Sequence, residues 1–222
     1  MVTRPEPSLG PVRRENLRDG VKAALRAAII SGEMEAGVVY SARQLSQTFG
    51  VSATPVREAM LDLVREGLVV SLPNKGFRVT ETSEEDLDEL AQLRLLIEPP
   101  TIRAVVAEIP GADLGGLRDQ AEAIVVAAEA GDLVGYVSAD TRFHLALLGY
   151  CGNARLLTLV AELRSQTRLT GLSALLERGR LVESAREHHV IMDLVEARQA
   201  DRAEAYLRRH IGHVRGLWAG RS

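Results

Sequence analysis

A helix-breaking glycine between two helix start signals is the feature that most constrains how this chain can fold. Ser41 can cap a short helix that runs to Phe49, where Gly50 breaks it. Ser52 can then cap the next helix, over about residues 53–66. Serine is favoured at such positions because its side-chain oxygen accepts a hydrogen bond from an unpaired backbone N–H. Two helices joined by so tight a turn predict a helix-turn-helix.

The flanking segments extend this motif into a complete small domain. From Arg14 until Gly32, apolar residues recur at helical spacing and predict a first helix. After the third helix, β-prone runs at residues 68–72 and 77–80 flank a turn that contains Asn and Gly, which predicts a hairpin. The order helix, helix, tight turn, helix, hairpin predicts a winged helix-turn-helix domain over residues 14–80.

The rest of the chain has helical patterns only. Ser83 and Asp86 predict a capping box for the first of these helices, and the Pro99-Pro100 pair is expected to kink or break it. The fold class is therefore mainly α, with the winged domain followed by a bundle of six or seven helices. Further helices are predicted over residues 113–130, 133–150, 154–176, 181–198 and 201–218. The predicted organisation is an arm (1–13), the winged domain (14–80), a linker (81–85) and the bundle (86–222).

Composition and charge exclude several other classes of protein. No apolar run approaches the ~20 residues that span a bilayer, and the N-terminal residues lack the apolar core of a secretion signal. The single cysteine, Cys151, cannot form an internal disulfide, so we expect a cytoplasmic protein with no membrane partner. Residues 1–80 hold 11 Lys and Arg against 8 Asp and Glu, whereas the remainder holds 16 against 22. A basic front half permits binding to nucleic acid.

Residues 41–60 read SARQLSQTFGVSATPVREAM and resemble the GntR family of transcriptional regulators. The resemblance covers residues 15–80. It implies a regulator that binds double-stranded DNA and is not an enzyme. Family members often carry Arg where this chain has Ala53, so one base-reading side chain is missing and we expect a different sequence preference.

Six residues are predicted to contact DNA. A helix N-terminus offers unpaired N–H groups to a phosphate, and nearby hydroxyl groups add donors. A guanidinium one turn into the helix can reach a guanine base edge, and the family aims an arginine of the preceding helix at the same groove. The wing tip can follow the minor groove or the phosphates. In chain order these residues are Arg43, Ser52, Thr54, Arg57, Lys75 and Gly76.

These assignments have plainer alternatives. Arg57 could pair with Glu58 or Asp62 on a solvated helix face. Ser52 and Thr54 could cap their helix without touching DNA, although capping and phosphate contact are compatible.

The helical part, over about residues 83–218, resembles the FCD ligand-binding domain of the FadR subfamily of GntR regulators. The likeness lies in D-x-x-F-H at residues 140–144, E-H-x-x-I at residues 187–191 and Arg209-His210-Ile211 near the end. By resemblance, the family binds a metal ion at these positions, and a carboxylate-bearing effector completes its coordination. The implied ligands in this chain are Asp140, His144, His188 and His210.

The chemistry of these four residues agrees with a metal site. Asp140 and His144 are four residues apart and share one helix face, whereas His188 and His210 lie on two other predicted helices. One carboxylate and three imidazoles suit a divalent ion, Zn²⁺ first and Ni²⁺ or another transition metal next. The alternative is a chance scatter of polar residues, but unpaired buried polar groups are costly, which favours a shared partner.

Two residues are candidates for effector binding. Arg94 lies in an apolar stripe and needs an anionic partner, which is either an effector carboxylate or Glu98 four residues on. Gln166 lies on the helix before the one that carries His188 and could add an amide contact.

These features predict a transcriptional regulator that responds to an effector. Of repressor and activator, we expect a repressor. A homodimer would present two recognition helices to a pseudo-palindromic operator. In one alternative the metal only stabilises the bundle and there is no effector. In a second alternative the protein is a metal-dependent enzyme, but that interpretation leaves the DNA-binding domain unexplained.

Overall fold

The N-terminal part of the chain folds into three helices with a small sheet at their side, which we call the head (residues 14–80). The computed structural model describes residues 14–167, 172–177 and 179–218, and the predicted arm over residues 1–13 lies outside them. The elements of the head are α1 (Arg14–Ser31), β1 (Val39–Tyr40), α2 (Ala42–Phe49), α3 (Ala53–Arg65), β2 (Val69–Leu72) and β3 (Gly76–Val79).

The turn between α2 and α3 forms as its residues predict. The Ser41 hydroxyl accepts a hydrogen bond from the backbone N–H of Gln44 at 3.1 Å, and Gly50 ends α2 with a φ of 63°. That left-handed conformation favours glycine because it has no Cβ. Ser52 occupies the N-cap position of α3, but its side chain makes no capping hydrogen bond. The apolar faces of α1, α2 and α3 meet in one core that includes Leu25, Leu45, Val56, Met60 and Leu63.

The predicted hairpin is confirmed, and it gains a third strand. Strands β2 and β3 pair in antiparallel fashion from Val69 opposite Val79 to Leu72 opposite Gly76. The two-residue strand β1 adds to the other side of β3, giving the order β1-β3-β2. Sequence analysis missed β1 because two residues are too few to establish an alternating pattern.

Within the described part of residues 84–218, seven α-helices form the bundle. They are α4 (Glu84–Val105), α5 (Leu114–Glu129), α6 (Leu133–Gly149), α7 (Ala154–Thr167), α8 (Leu172–Glu177), α9 (Leu181–Glu196) and α10 (Ala200–Trp218), with a short 3₁₀ turn at Gly111–Asp113 before α5. The predicted capping box at the start of α4 is present, with both Ser83–Asp86 hydrogen bonds formed. Helix α4 packs against α10, α7 and α6, and α5 packs against α6 and α9.

The expected break at Pro99-Pro100 is wrong, because α4 is continuous from Glu84 to Val105. A proline inside a helix removes one hydrogen bond and costs about 3 kcal/mol. Here the Arg208 guanidinium donates to the Leu95 carbonyl at 3.5 Å, which replaces the donor that Pro99 lacks. The buried face of α4 outweighs the remaining cost, since each fully buried large apolar side chain contributes about 1.5–3 kcal/mol. That face includes Leu87, Ala91, Ile102 and Val105.

Among the described residues, the contacts between the head and the bundle include one through α1 and one through the end of α3, with a cavity between them. Ile30, near the end of α1, is buried in the apolar core of the bundle. At the other contact, the hydroxyl of Ser165 in α7 lies 3.1 Å from the Glu66 carbonyl, which follows α3. The intervening cavity measures about 1240 Å³ and is lined by residues of α1, α3, α6 and α7. The chain crosses between the two units over a short segment, since β3 ends at Val79 and α4 begins at Glu84.

None of the helices in the described ranges is both long enough and apolar enough to traverse a lipid bilayer.

Substituting Gly76 by Ala is expected to destabilise the head. Gly76 has a φ of 124°, and a Cβ there would overlap the Tyr40 carbonyl across the β1–β3 pair. We expect Gly76→Ala to lower the free energy of unfolding by about 1–3 kcal/mol, measured by urea denaturation followed by circular dichroism. The matched control is Gly20→Ala in α1, where a Cβ meets nothing within 4 Å and stability should rise by about 0.5–1 kcal/mol. Wild-type stability in Gly76→Ala would contradict the close approach of β1.

Candidate functional site

Five of the six residues predicted to contact DNA are exposed on the head. The apolar residues of α2 and α3 face the core, so the side chains at the other helix positions point outward. Arg43 at the start of α2, Arg57 in α3 and Lys75 in the wing turn are exposed, as are Ser52 and Thr54 at the start of α3. The head thus presents the first turn of α3 and the wing tip to solvent.

The cations of this surface have no carboxylate partner within the described ranges. Asp62, one of the alternative partners for Arg57, instead pairs with Arg18 of α1 and with Arg65 at 2.6 Å. Neither Arg43, Arg57 nor Lys75 joins an ion pair with another described residue. An unpaired exposed cation is available to a phosphate or a base edge.

The wing residues divide into a structural one and an accessible one. Gly76 is only partly exposed, and its backbone approaches β1 so closely that any side chain would collide. Asn74, in the turn, has a φ of 60°, a conformation that asparagine tolerates better than most residues. Lys75 between them is held by a hydrogen bond from its N–H to the Leu72 carbonyl at 3.1 Å. Gly76 shapes the wing, Lys75 has the exposed side chain, and DNA contact by either residue stays a prediction.

The four predicted metal ligands converge inside the bundle. Asp140 and His144 project from α6, His188 from α9 and His210 from α10, and one ligand atom of each lies within 4.8 Å of all the others. All four side chains are at most 1% exposed. Helix α6 carries Phe143, also fully buried, between its two ligands, so the apolar packing of α6 draws Asp140 and His144 into the core.

Neighbouring acceptors orient two of the imidazoles toward the centre of this group. The Nδ1 of His188 donates to the Ala185 carbonyl at 2.8 Å, and the Nδ1 of His210 lies 2.6 Å from Glu187 Oε2. Carbonyl and carboxylate oxygens only accept hydrogen bonds, so both Nδ1 atoms carry the proton and both Nε2 atoms offer a lone pair. Glu187 also contacts His213 Nδ1 at 2.9 Å. Such outer hydrogen bonds are characteristic of histidines that bind metals.

The nitrogen left unpaired among the described residues and the close contacts within this group of four indicate that it fits a cation. His210 Nε2 is buried and has no hydrogen-bond partner among the described residues, and His188 Nε2 lies 3.1 Å from Asp140 Oδ1 and 3.0 Å from His144 Nε2. A buried acceptor without a donor costs about 1–3 kcal/mol. A divalent ion among these atoms would satisfy all of them at once.

The protonation states of these groups suit metal binding. Burial, reinforced by the nearby Arg164 guanidinium, holds the pKa of His144 well below its usual value. Burial likewise lowers the pKa of His210 to about 4, against the opposing effect of Glu187. Burial opposes ionisation of Glu187, but its hydrogen bonds with His210 and His213 bring the pKa of its carboxyl down to about 2. At neutral pH both imidazoles are neutral, which is the form that binds metals.

A buried ion-pair network connects the metal ligands to α4 and α7. Arg164 of α7 donates to Asp140 Oδ2 and to Glu98 Oε2, each at 2.9 Å, and Arg94 donates to Glu98 Oε1 at 2.7 Å. All four side chains are at most 2% exposed. Burial opposes ionisation of Glu98, but the two guanidinium groups hold the pKa of its carboxyl below its usual value. The network keeps the Glu98 carboxylate ionised in the core.

Arg164 was not among the sequence-predicted site residues. The same signal that pointed to Arg94 applies to it, because it is a charged residue beside Val160 and Leu163 on the buried face of an apolar helix. Its role became visible only when α7 packed against α4 and α6.

The two effector-binding candidates lie in different places. Arg94 pairs with Glu98, which was one of its two predicted partners. Its Nη2 atom is buried and has no hydrogen-bond partner among the described residues. Gln166 is not brought to the buried cluster. Its side chain lies against Gly67 of the head, where an added Cβ would be 3.3 Å from Gln166 Cγ.

Family comparisons agree with both halves of the chain. The model of the "Bacterial regulatory proteins, gntR family" matches residues 17–79, and the FCD domain model matches residues 89–213. A transcriptional repressor described as probable for a D-xylose utilization operon of Paenarthrobacter nicotinovorans is 29% identical over 198 residues, which cover 89% of this chain and 87% of that protein. A regulator of the helix-turn-helix type from Agrobacterium vitis is 34% identical over 131 residues, which cover 58% of this chain and 74% of that protein.

Solved structures share the fold. The Escherichia coli regulator McbR/YncC superposes with a TM-score of 0.75 at 24% identity, covering 92% of this chain and 97% of that one. A GntR-type regulator structure from Rhodococcus sp. RHA1 gives a TM-score of 0.70 at 22% identity, covering 93% and 99%. These likenesses establish the two-unit architecture, and the relatives are regulators rather than enzymes. The chain therefore belongs to the GntR family of bacterial regulatory proteins, in the FadR subfamily with an FCD domain, and is a transcriptional regulator.

Proposed function

We propose that this regulator binds a pseudo-palindromic operator as a homodimer and that a small carboxylate, bound beside a divalent metal in the bundle, modulates its affinity for DNA. The observation that carries the metal part is the buried convergence of Asp140, His144, His188 and His210, where His210 Nε2 has no hydrogen-bond partner among the described residues. The homodimer rests on a physical argument, because one small DNA-binding module rarely supplies enough affinity by itself.

In the proposed complex, the first turn of α3 enters the major groove. Arg57 reads a base edge, with Arg43 beside it from the start of α2, and the Ser52 hydroxyl, which makes no capping bond, is available to a phosphate. Thr54 adds a second hydroxyl, and Lys75 at the wing tip contacts the backbone. With Ala53 where relatives often carry Arg, long-reach readout depends on the two arginines.

The metal would be held by Asp140, His144, His188 and His210. Zn²⁺ suits one carboxylate and three imidazoles, and Ni²⁺ or another transition metal also accepts this donor set. A bound divalent ion would supply positive charge and an open coordination position at which an acid can bind. The chain's own Arg94 would then hold the acid through its buried Nη2 atom, while Nε stays on Glu98.

Repression is the proposed direction of control. The relatives from Paenarthrobacter nicotinovorans and Bacillus licheniformis are named as operon repressors, for D-xylose utilization and for gluconate. The second candidate is a metal that only stabilises the bundle, favoured by the complete burial of the four ligands. The two differ in whether a carboxylate stabilises the metal-loaded protein further.

Removing the Arg57 guanidinium should weaken operator binding without unfolding the head. Because Arg57 is exposed and has no ion-pair partner in the described chain, its loss should cost about 1–3 kcal/mol of specific binding. Arg57→Ala and the control Arg155→Ala, an exposed arginine of α7, would be compared by gel shift on a duplex selected by the wild-type protein. Wild-type affinity in Arg57→Ala, with unchanged circular dichroism, would refute the assignment of α3 as the recognition helix.

Removing one imidazole should abolish tight metal binding. His188→Ala deletes a ligand whose Nε2 faces Asp140, whereas the adjacent His189 lies 3.0 Å from the exposed Glu122 and points away from the cluster. We expect zinc bound per chain, measured by atomic emission on protein dialysed against Zn²⁺, to fall toward zero in His188→Ala. In His189→Ala it should stay near one. Full occupancy in His188→Ala would show that the ligand set is wrong.

Changing Arg94 to Lys should separate effector binding from metal binding. Lysine keeps the charge beside Glu98 but loses the planar fork that binds a carboxylate in two places. With Zn²⁺ bound, a panel of mono-, di- and tricarboxylates should raise the melting temperature of the wild type, and the most stabilising acid should bind Arg94→Lys about tenfold more weakly. If zinc raises the melting temperature and no acid raises it further, the structural-metal candidate is correct instead.

A further inference from the structure

The last turn of α7 lies between the metal ligands and the end of the recognition helix. Arg164 faces inward and holds Asp140, which is a proposed metal ligand, at 2.9 Å. The next residue, Ser165, faces the head, and its hydroxyl lies 3.1 Å from the Glu66 carbonyl that follows α3. Gln166 packs against Gly67, the residue after Glu66. Three consecutive side chains thus connect the buried centre to the DNA-binding head.

The point that α7 touches is tied to the rest of the head. The Glu66 carboxylate pairs with Arg26 and with Lys22, both in α1, the latter at 3.4 Å. The Gly67 carbonyl accepts a hydrogen bond from the Thr80 hydroxyl at 2.7 Å, where the chain leaves the head. A shift of α7 at this point is therefore passed to α3 and α1 together and not to a loose loop.

The contact is suited to being made and broken. The Ser165 hydroxyl has one hydrogen but two carbonyl acceptors, Glu66 at 3.1 Å and Glu162 of its own helix at 2.8 Å. When the head moves away, the Ser165 hydroxyl can donate to the Glu162 carbonyl instead of the Glu66 carbonyl, so this donor is never left unsatisfied. A small displacement of α7 can decide between the two arrangements.

The remaining contacts leave the head room to turn. Ile30 of α1 is anchored in the apolar core of the bundle, and the cavity of about 1240 Å³ separates this anchor from the Ser165 contact. Rotation about Ile30 would change the width of this cavity. Packed units joined in this way move as rigid bodies about a few residues.

We propose that residues 164–166 of α7 are the coupling element through which occupancy of the Asp140 site changes the placement of α3. This inference rests on the proposed metal centre. A divalent ion bound to Asp140 competes with Arg164 for the charge of that carboxylate. Because Glu98 also holds the Arg164 guanidinium, at 2.9 Å, a change in the Asp140 pairing shifts the helix turn that carries Arg164. Ser165 and Gln166 act as positioning residues, because their contacts with Glu66 and Gly67 set the position of the head.

The test compares a double variant with a matched control on the same face of α7. Ser165→Ala/Gln166→Ala removes the contacts to the head. Thr158→Val/Glu162→Ala changes two residues that line the same cavity but make no hydrogen bond to the described residues of the head, since the Thr158 hydroxyl bonds within α7 at 3.0 Å. Each full-length protein is titrated with Zn²⁺ by calorimetry and with a duplex selected by the wild type, in the presence and absence of Zn²⁺.

In the wild type and the control, Zn²⁺ should change the operator Kd by a factor within the usual allosteric range of about 5–150. In Ser165→Ala/Gln166→Ala that factor should fall about fivefold, on the scale of one lost hydrogen bond, while the zinc Kd stays within about twofold of the wild-type value. A structural role alone would lower stability without selectively reducing this factor.

Three results would overturn the proposal, and they can be told apart. An undiminished zinc effect on operator binding in the double variant refutes coupling through α7 and leaves the metal centre intact. Zinc that binds the wild type without altering its operator Kd refutes coupling altogether. Calorimetry that finds no zinc binding to the wild type refutes the proposed metal centre itself, on which this inference rests.

Discussion

The buried chain of ion pairs Arg94–Glu98–Arg164–Asp140 is the interaction on which the bundle depends. It links α4, α7 and α6 through bonds of 2.7–2.9 Å in a region closed to water. Removing one member of such a network leaves a buried charge uncompensated, which typically costs 3–5 kcal/mol. The three helices therefore have one mutual register at which every charge is matched, and that register also sets the orientation of Asp140 toward the histidines.

This arrangement gives one network two consequences. Its inner end shapes the proposed metal centre, because Arg164 occupies Asp140 Oδ2 and leaves Oδ1 directed at His188, 3.1 Å away. Its outer end is the last turn of α7, which contacts the head at Glu66. A GntR-type head thus contacts the same helix that holds Asp140 through Arg164, and the proposed coupling needs no long pathway through the protein.

Features with local causes were predicted from the sequence. The cap at Ser41, the end of α2 at Gly50 and the capping box at Ser83 follow from hydrogen bonds among near neighbours. The pairing of Asp140 with His144 on one face follows from helix geometry alone. Features with distant causes were not: α4 passes through Pro99-Pro100 because the packing of its buried face outweighs local propensity, and β1 exists only because β3 accepts it.

The sequence by itself determined the winged head and the helical bundle, because these depend on periodicity and capping along one element at a time, and its motifs singled out the four residues proposed here as metal ligands. Tertiary structure alone decided which helices face each other. That choice brought His188 and His210 to Asp140, placed Arg164 in the network and set Gln166 against Gly67 instead of the buried centre. The physical reason is that buried charges and buried surfaces are matched in three dimensions, between residues that no local pattern connects.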